Sequence, residues 1–152
     1  MKISATFTIA NMRNKLPYFG EITLDLEEVI ELPKHEIIEA FTGRGLHSQG
    51  YAEVIPAKGY DDWKAGIRSG LRYALKRICS PHMYRIILQR GSGLSTDTNP
   101  TIMAYVAARA ILGKLPNKET LMDRKRLEEL VYASWNYDPR SIPNLEKFSI
   151  MA

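Results

Sequence analysis

The chain opens on strict alternation. Ile3, Ala5, Phe7 and Ile9 fall on one side of residues 2–9, with Lys2, Ser4, Thr6 and Thr8 on the other. A period of two with β-branched residues predicts a strand that buries one face. Residues 10–18, with Asn11, Asn14 and Pro17, have a loop composition. Over residues 19–29, Ile22, Leu24 and Leu26 alternate with Glu21, Thr23, Asp25 and Glu27. Two such neighbours predict an antiparallel pair with one wet face.

The spacing then changes. Pro33 suits a first helical position, and Ile37, Ile38 and Phe41 supply an apolar side, so a short helix is expected here. Thr42-Gly43-Arg44-Gly45-Leu46-His47-Ser48-Gln49-Gly50 breaks regular structure, and residues 51–57 predict a third strand. Over about residues 60–79, Trp63, Ile67, Leu71, Ala74, Leu75 and Ile78 recur at helical spacing, with Asp61 or Asp62 as the expected cap. Residues 83–90 predict a fourth strand. Pro100 opens an alanine-rich helix that Gly113 closes, with Ala104, Ala107, Ala108 and Ala110 small enough for close approach to a neighbour. Residues 118–137 form the last helix, anchored by Leu127, Leu130, Val131 and Trp135.

This order predicts an α/β domain of the α+β type over residues 1–137. The expected architecture is a two-layer sandwich, a mostly antiparallel sheet with helices packed on one face. Its core is β-β-β-α-β-α plus a C-terminal helix. Residues 138–152, carrying Pro139 and Pro143, are a tail that wraps the surface or frays. Ile3, Phe7, Ile22, Leu24, Ile67, Leu71, Ile86, Val106 and Ile111 are the expected core.

Composition narrows the function classes. At 152 residues, 45% hydrophobic and 25% charged, the chain is an ordinary globular length and mixture. The one cysteine, Cys79, makes neither an internal disulfide nor a multi-cysteine zinc site. No apolar run approaches the ~18 residues that cross a bilayer, and the alternating N-terminus is no signal peptide. A cytoplasmic protein with no membrane partner and no cofactor is expected. The net charge of +4 permits RNA or another acidic partner without specifying one.

Two polar features stand out. Gly43-Arg44-Gly45 with His47 offers backbone access, a phosphate-gripping cation and a group titrating near neutrality, although an ordinary turn has the same composition. It lacks the Gly-Lys-Ser/Thr ending of a P-loop. Lys64, Arg68, Arg72 and Lys76 recur every four residues, a row that would track phosphates or simply form the wet side of the helix. Ser92, Ser95, Thr96 and Asp97 follow the fourth strand without a nucleophile elbow, and turn or cap chemistry accounts for them. Cys79 and His82 straddle Ser80-Pro81 at a helix end, and His35 is expected at the surface.

Several short segments share an order seen elsewhere. Ile55-Pro56-Ala57 precedes a helix containing Lys64-Ala65-Gly66-Ile67. A strand, Gly91-Ser92, Ser95-Thr96-Asp97 and the alanine-rich residues 103–110 follow. Residues 59–115 thereby resemble the fourth domain of elongation factor G, whose tip loop also carries Gly-Arg-Gly, as Gly43-Arg44-Gly45 does here. The chain departs from that pattern in placing a short helix before the loop, in lacking the strand after it, and in carrying no GTPase motif. The resemblance implies a two-layer β-α-β domain with a left-handed crossover, as in translation factors and a small-subunit ribosomal protein. The same fold hosts kinases, dehydratases and ATPase transducer domains. The leading expectation is a non-enzymatic module of the translation-component type that contacts RNA, or the ribosome, through Arg44, His47, Lys64, Arg68, Arg72 and Lys76. Alternatives are a small enzyme with His47 as acid/base and Arg44 holding an anionic substrate, and an accessory protein that forms homo-oligomers through its exposed sheet or last helix.

Overall fold

The computed structural model describes residues 2–46 and 52–150. Strands β1 (Lys2–Arg13) and β2 (Leu16–Val29) form a long antiparallel hairpin that turns on Asn14 and Lys15, both left-handed. The expected loop at residues 10–18 is therefore mostly strand, because Asn-Lys at the tip supplies the turn. After β3 (Glu36–Glu39) and β4 (Glu53–Val54) come helix α1 (Asp61–Leu75), strand β5 (Met83–Gly93), and helices α2 (Pro100–Leu112) and α3 (Leu121–Ala133). The strand order is β1-β2-β5-β3, with β4 also on β5. Among the described strands, only β3 runs parallel to its neighbour. The fold is thus an α+β sandwich with a mostly antiparallel sheet.

Residues 36–39 are a strand and not the expected helix. Their spacing suits either form over so short a stretch, and tertiary partners decide. Ile37 joins the core edge, while Arg85 of β5 donates to Glu36 at 3.0 Å and to Glu27 of β2 at 3.2 Å, joining three strands across the wet face. His35 is half-buried and not a surface group. Its Nδ1 accepts the Tyr84 N–H at 3.0 Å, and its ring stacks on Tyr84. Glu27 contacts Arg85 and its neighbour Glu28 contacts His82.

One core lies between the sheet and the helices. Ile22, Leu24 and Leu26 of β2 and Ile86 and Leu88 of β5 meet Ile67 and Leu71 of α1 and Ile102, Val106 and Ile111 of α2. Ile3 and Phe7, expected in that core, are only half covered, because β1 is the sheet edge. Every residue of α2 is buried. Its approach to α1 depends on two glycines: a Cβ on Gly66 would stand 2.2 Å from the Pro100 carbonyl oxygen, and one on Gly70 2.0 Å from that of Ala104. Residues 143–148 pack down, with Leu145 buried and Ser69 Oγ donating to the Pro143 carbonyl at 2.8 Å, while residues 138–140 stay exposed. Helix α1 opens from Tyr60 in a left-handed conformation without a side-chain cap, and Asp61 and Asp62 occupy its first turn, where the dipole favours them. No helix among the described residues is long and apolar enough to cross a membrane.

Gly70→Ala should destabilise by about 1–3 kcal/mol or more, since the contact is backbone and cannot yield as a side chain would. Urea denaturation of the variant beside wild type measures this, and Ala65→Gly on the same helix serves as a control for propensity. A second expectation concerns acid. Burial holds the His35 pKa below 6.5, so the unfolded chain binds that proton first. The contribution of His35 is complete above about pH 6.5 and is lost as pH falls further. The slope of stability between pH 7 and 5 should be shallower in His35→Leu than in wild type.

Candidate functional site

The four-cation row of α1 is not a uniform wet stripe. Lys64, at the first turns, is 6% exposed; its Nζ donates to the Ala57 carbonyl at 3.0 Å and lies 5.9 Å from the Phe41 ring. It belongs to the fold and, contrary to expectation, does not stand in a ligand-facing row. The cause lies in the preceding turn, where residues 55–59 fold back over the helix start and present a carbonyl to a long side chain. Arg68 contacts Glu39 of β3 at 2.6 Å, and Lys76 contacts Glu146 of the tail at 3.0 Å. Arg72 is exposed between them. Both ion pairs are open to solvent, with 41% and 67% of the cationic side chains accessible. Such pairs contribute little, about 0–1 kcal/mol.

The Arg44 loop is built against β4. The Gly43 N–H donates to the Ile55 carbonyl at 3.0 Å, and Gly45 exchanges hydrogen bonds with Val54. A Cβ on Gly43 would stand 2.4 Å from the Val54 oxygen, so this glycine serves backbone pairing rather than ligand access. Arg44 is left exposed. His47 lies outside the described residues, as do Ser48 and Gln49.

Beneath the loop sits a cluster that the sequence pattern does not advertise. Glu53 is 6% exposed. Its carboxylate accepts from the Ser95 N–H at 2.5 Å and from the Tyr60 hydroxyl at 2.9 Å, and Ser95 Oγ lies 2.6 Å from Oε2. Burial, then the hydrogen bond to Glu53, raises the Tyr60 pKa. A carboxylate with its lone pairs so occupied clamps β4, α1 and the 94–99 segment together; it is not a free base. The available signal was parity, since Glu53 shares a strand face with buried Ile55. Beside it, Tyr60, Asp61, Asp62, Trp63, Ser95 and Arg140 border an open hollow of about 490 Å³.

Several of the remaining polar candidates have structural partners. Thr98 Oγ1 accepts from the Leu94 N–H and donates to the Phe19 carbonyl; Asn99 caps α2 through the Ile102 N–H. Ser92 is buried, Cys79 is exposed, and His82 faces Glu28 at 3.4 Å. A buried ion pair, Arg109 with Glu119, also receives the Tyr73 hydroxyl at 2.6 Å. Among the described residues no group of three His, Cys, Asp or Glu side chains is gathered as a metal site would require.

No family model matches the chain. A stretch of 91 residues is 33% identical to an AdoMet-dependent heme synthase of Oleidesulfovibrio alaskensis, covering 58% of this chain and 23% of that protein. The chain thus spans under a quarter of the relative it matches. A crystal structure of a Thermus thermophilus protein is similar over 72% of this chain and 14% of its own, at 15% identity and a TM-score of 0.49.

If Glu53 is a structural clamp, Glu53→Ala leaves the Tyr60 hydroxyl and the Ser95 amide without their acceptor. The expected loss is about 1–3 kcal/mol of unfolding free energy in chemical denaturation.

Proposed function

We propose that this protein is a non-enzymatic binding module of the translation-component type, meeting RNA or another polyanion through phosphates. The observation that supports the reading is the outer row of α1. Arg68, Arg72 and Lys76 stand on successive turns, about 6 Å of helix rise apart, with Arg72 exposed and its neighbours tied only by solvent-exposed ion pairs. Pairs of that kind exchange a carboxylate for a phosphate at small cost. Arg44 adds a further exposed cation from the loop beside β4. Contacts of this type give affinity and position without reading sequence. The settled hydrogen bonding of Glu53, Ser95 and Tyr60 gives no support to acid/base chemistry at that hollow, and the heme synthase activity belongs to a protein of which this chain covers 23%.

A salt titration of binding to single-stranded and duplex RNA tests the reading. Each phosphate contact contributes about −0.7 (single strand) to −0.9 (duplex DNA) to the slope of log affinity against log salt. Arg68→Glu with Arg72→Glu should abolish binding with little change in melting temperature. Glu39→Gln with Glu146→Gln, which releases Arg68 and Lys76, should tighten binding severalfold. Absence of wild-type binding at low salt, or an equal loss on removing Lys2 and Lys147, would refute the proposal.

A further inference from the structure

The outer edge of the sheet lacks the usual protection. β1 is 12 residues long and stands at the end of the strand order, with no described strand on its far side. Residues 3–12 contain no charge, no proline and no glycine. Natural edge strands are ordinarily shortened, bulged or charged to prevent pairing with another chain. Here the pairing of β1 with β2 is regular throughout.

We infer that β1 pairs antiparallel with β1 of a second copy, about a two-fold axis through Thr6. The occupant follows from the sequence of the edge itself. Ile3-Ser4-Ala5-Thr6-Phe7-Thr8-Ile9 has nearly the same pattern in both directions. Centred on Thr6, the register sets Ile3 against Ile9, Ser4 against Thr8, Ala5 against Phe7 and Lys2 against Ala10. Every apolar residue from Ile3 to Ile9 meets an apolar one, every hydroxyl a hydroxyl, and each Phe7 meets the smallest residue of that face. No two like charges face each other. A slip by an odd number of residues turns one copy over, and in one such register Lys2 meets Arg13.

The half-covered core residues fit this arrangement. Ile3 and Phe7 point to the helix face yet are only partly buried, because nothing described continues the sheet beyond them. Phe7 also borders a hollow of about 400 Å³ shared with Leu112 and Leu121, and Leu121 is 83% exposed. The two-fold places both helix layers on one side of the joined sheet, so Leu121 of each copy flanks the seam. An isologous contact of this kind closes on itself as a dimer.

Sedimentation analysis of the full chain across the micromolar range should show a monomer–dimer equilibrium. Ser4→Lys with Thr8→Lys sets lysine against lysine twice across the seam. Within one chain the same positions stand opposite Asp25 and Glu21, so the fold is not burdened. The dissociation constant should rise about tenfold or more, with an unchanged circular dichroism melt at protein concentrations below the wild-type dissociation constant. In a Cys79→Ser background, Thr6→Cys should form an intermolecular disulfide on mild oxidation far faster than Lys2→Cys or Ala10→Cys. A wild type that stays monomeric, a dimer indifferent to S4K/T8K, or Thr6→Cys cross-linking no faster than the controls would overturn the inference.

Discussion

The close contact of α1 and α2 sets the dimensions of everything else. Two glycines one turn apart on α1 sit directly over the carbonyls of Pro100 and Ala104, so the two backbones touch. No side-chain layer separates them. Both helices therefore fit across a sheet whose full-length strands are only β1, β2 and β5. That proximity also fixes the rotation of α1. With Gly66 and Gly70 turned toward α2, and Ile67 and Leu71 toward the core, Arg68, Arg72 and Lys76 must lie on the outer side.

Charge on that outer side is controlled by remote parts of the chain. Glu39 comes from an edge strand formed before the helix in sequence, and Glu146 from the tail beyond α3. Either acid is held by elements with few partners of their own: β3 spans four residues, and the strand that closes the tail, Ser149–Ile150, two. The electrostatic face that a polyanion would meet is thus set by two short elements remote in sequence, while the cations themselves ride on the helix that packs against α2. Arg77 belongs to a different environment, lying over the Tyr73 ring and near Asp123 of α3.

Period was the strongest source of information in the sequence. The alternation of residues 2–9 and 21–27 and the helical stripe from Trp63 to Leu75 are long enough to separate a period of two from 3.6, and all three elements formed. Residues 36–39 were too short for period to decide, and Arg85 and Tyr84, far along the chain, supplied the answer. The row of four cations was legible as a row, yet not the fate of its members. Lys64 turned inward because a carbonyl from the preceding turn lay within reach of its stem, a matter of loop path that spacing does not encode. Glu53 was hidden for the same reason, since its partners Tyr60 and Ser95 come from segments before α1 and after β5. The alanines of α2 announced a close approach, but the decisive residues were the glycines opposite them.

The complete burial of α2 bears on how this domain can diversify. A helix with thirteen buried residues has no side to spare for recognition, so a change there is first a change to packing. Specificity can be retuned at low cost only where side chains end in water: the outer row of α1, the Arg44 loop and the hydroxyl-lined face of the hairpin. The domain is in that sense divided by tolerance, with a fixed interior pin and an adjustable rind. New partners would be acquired by redecorating the rind around an unchanged pin.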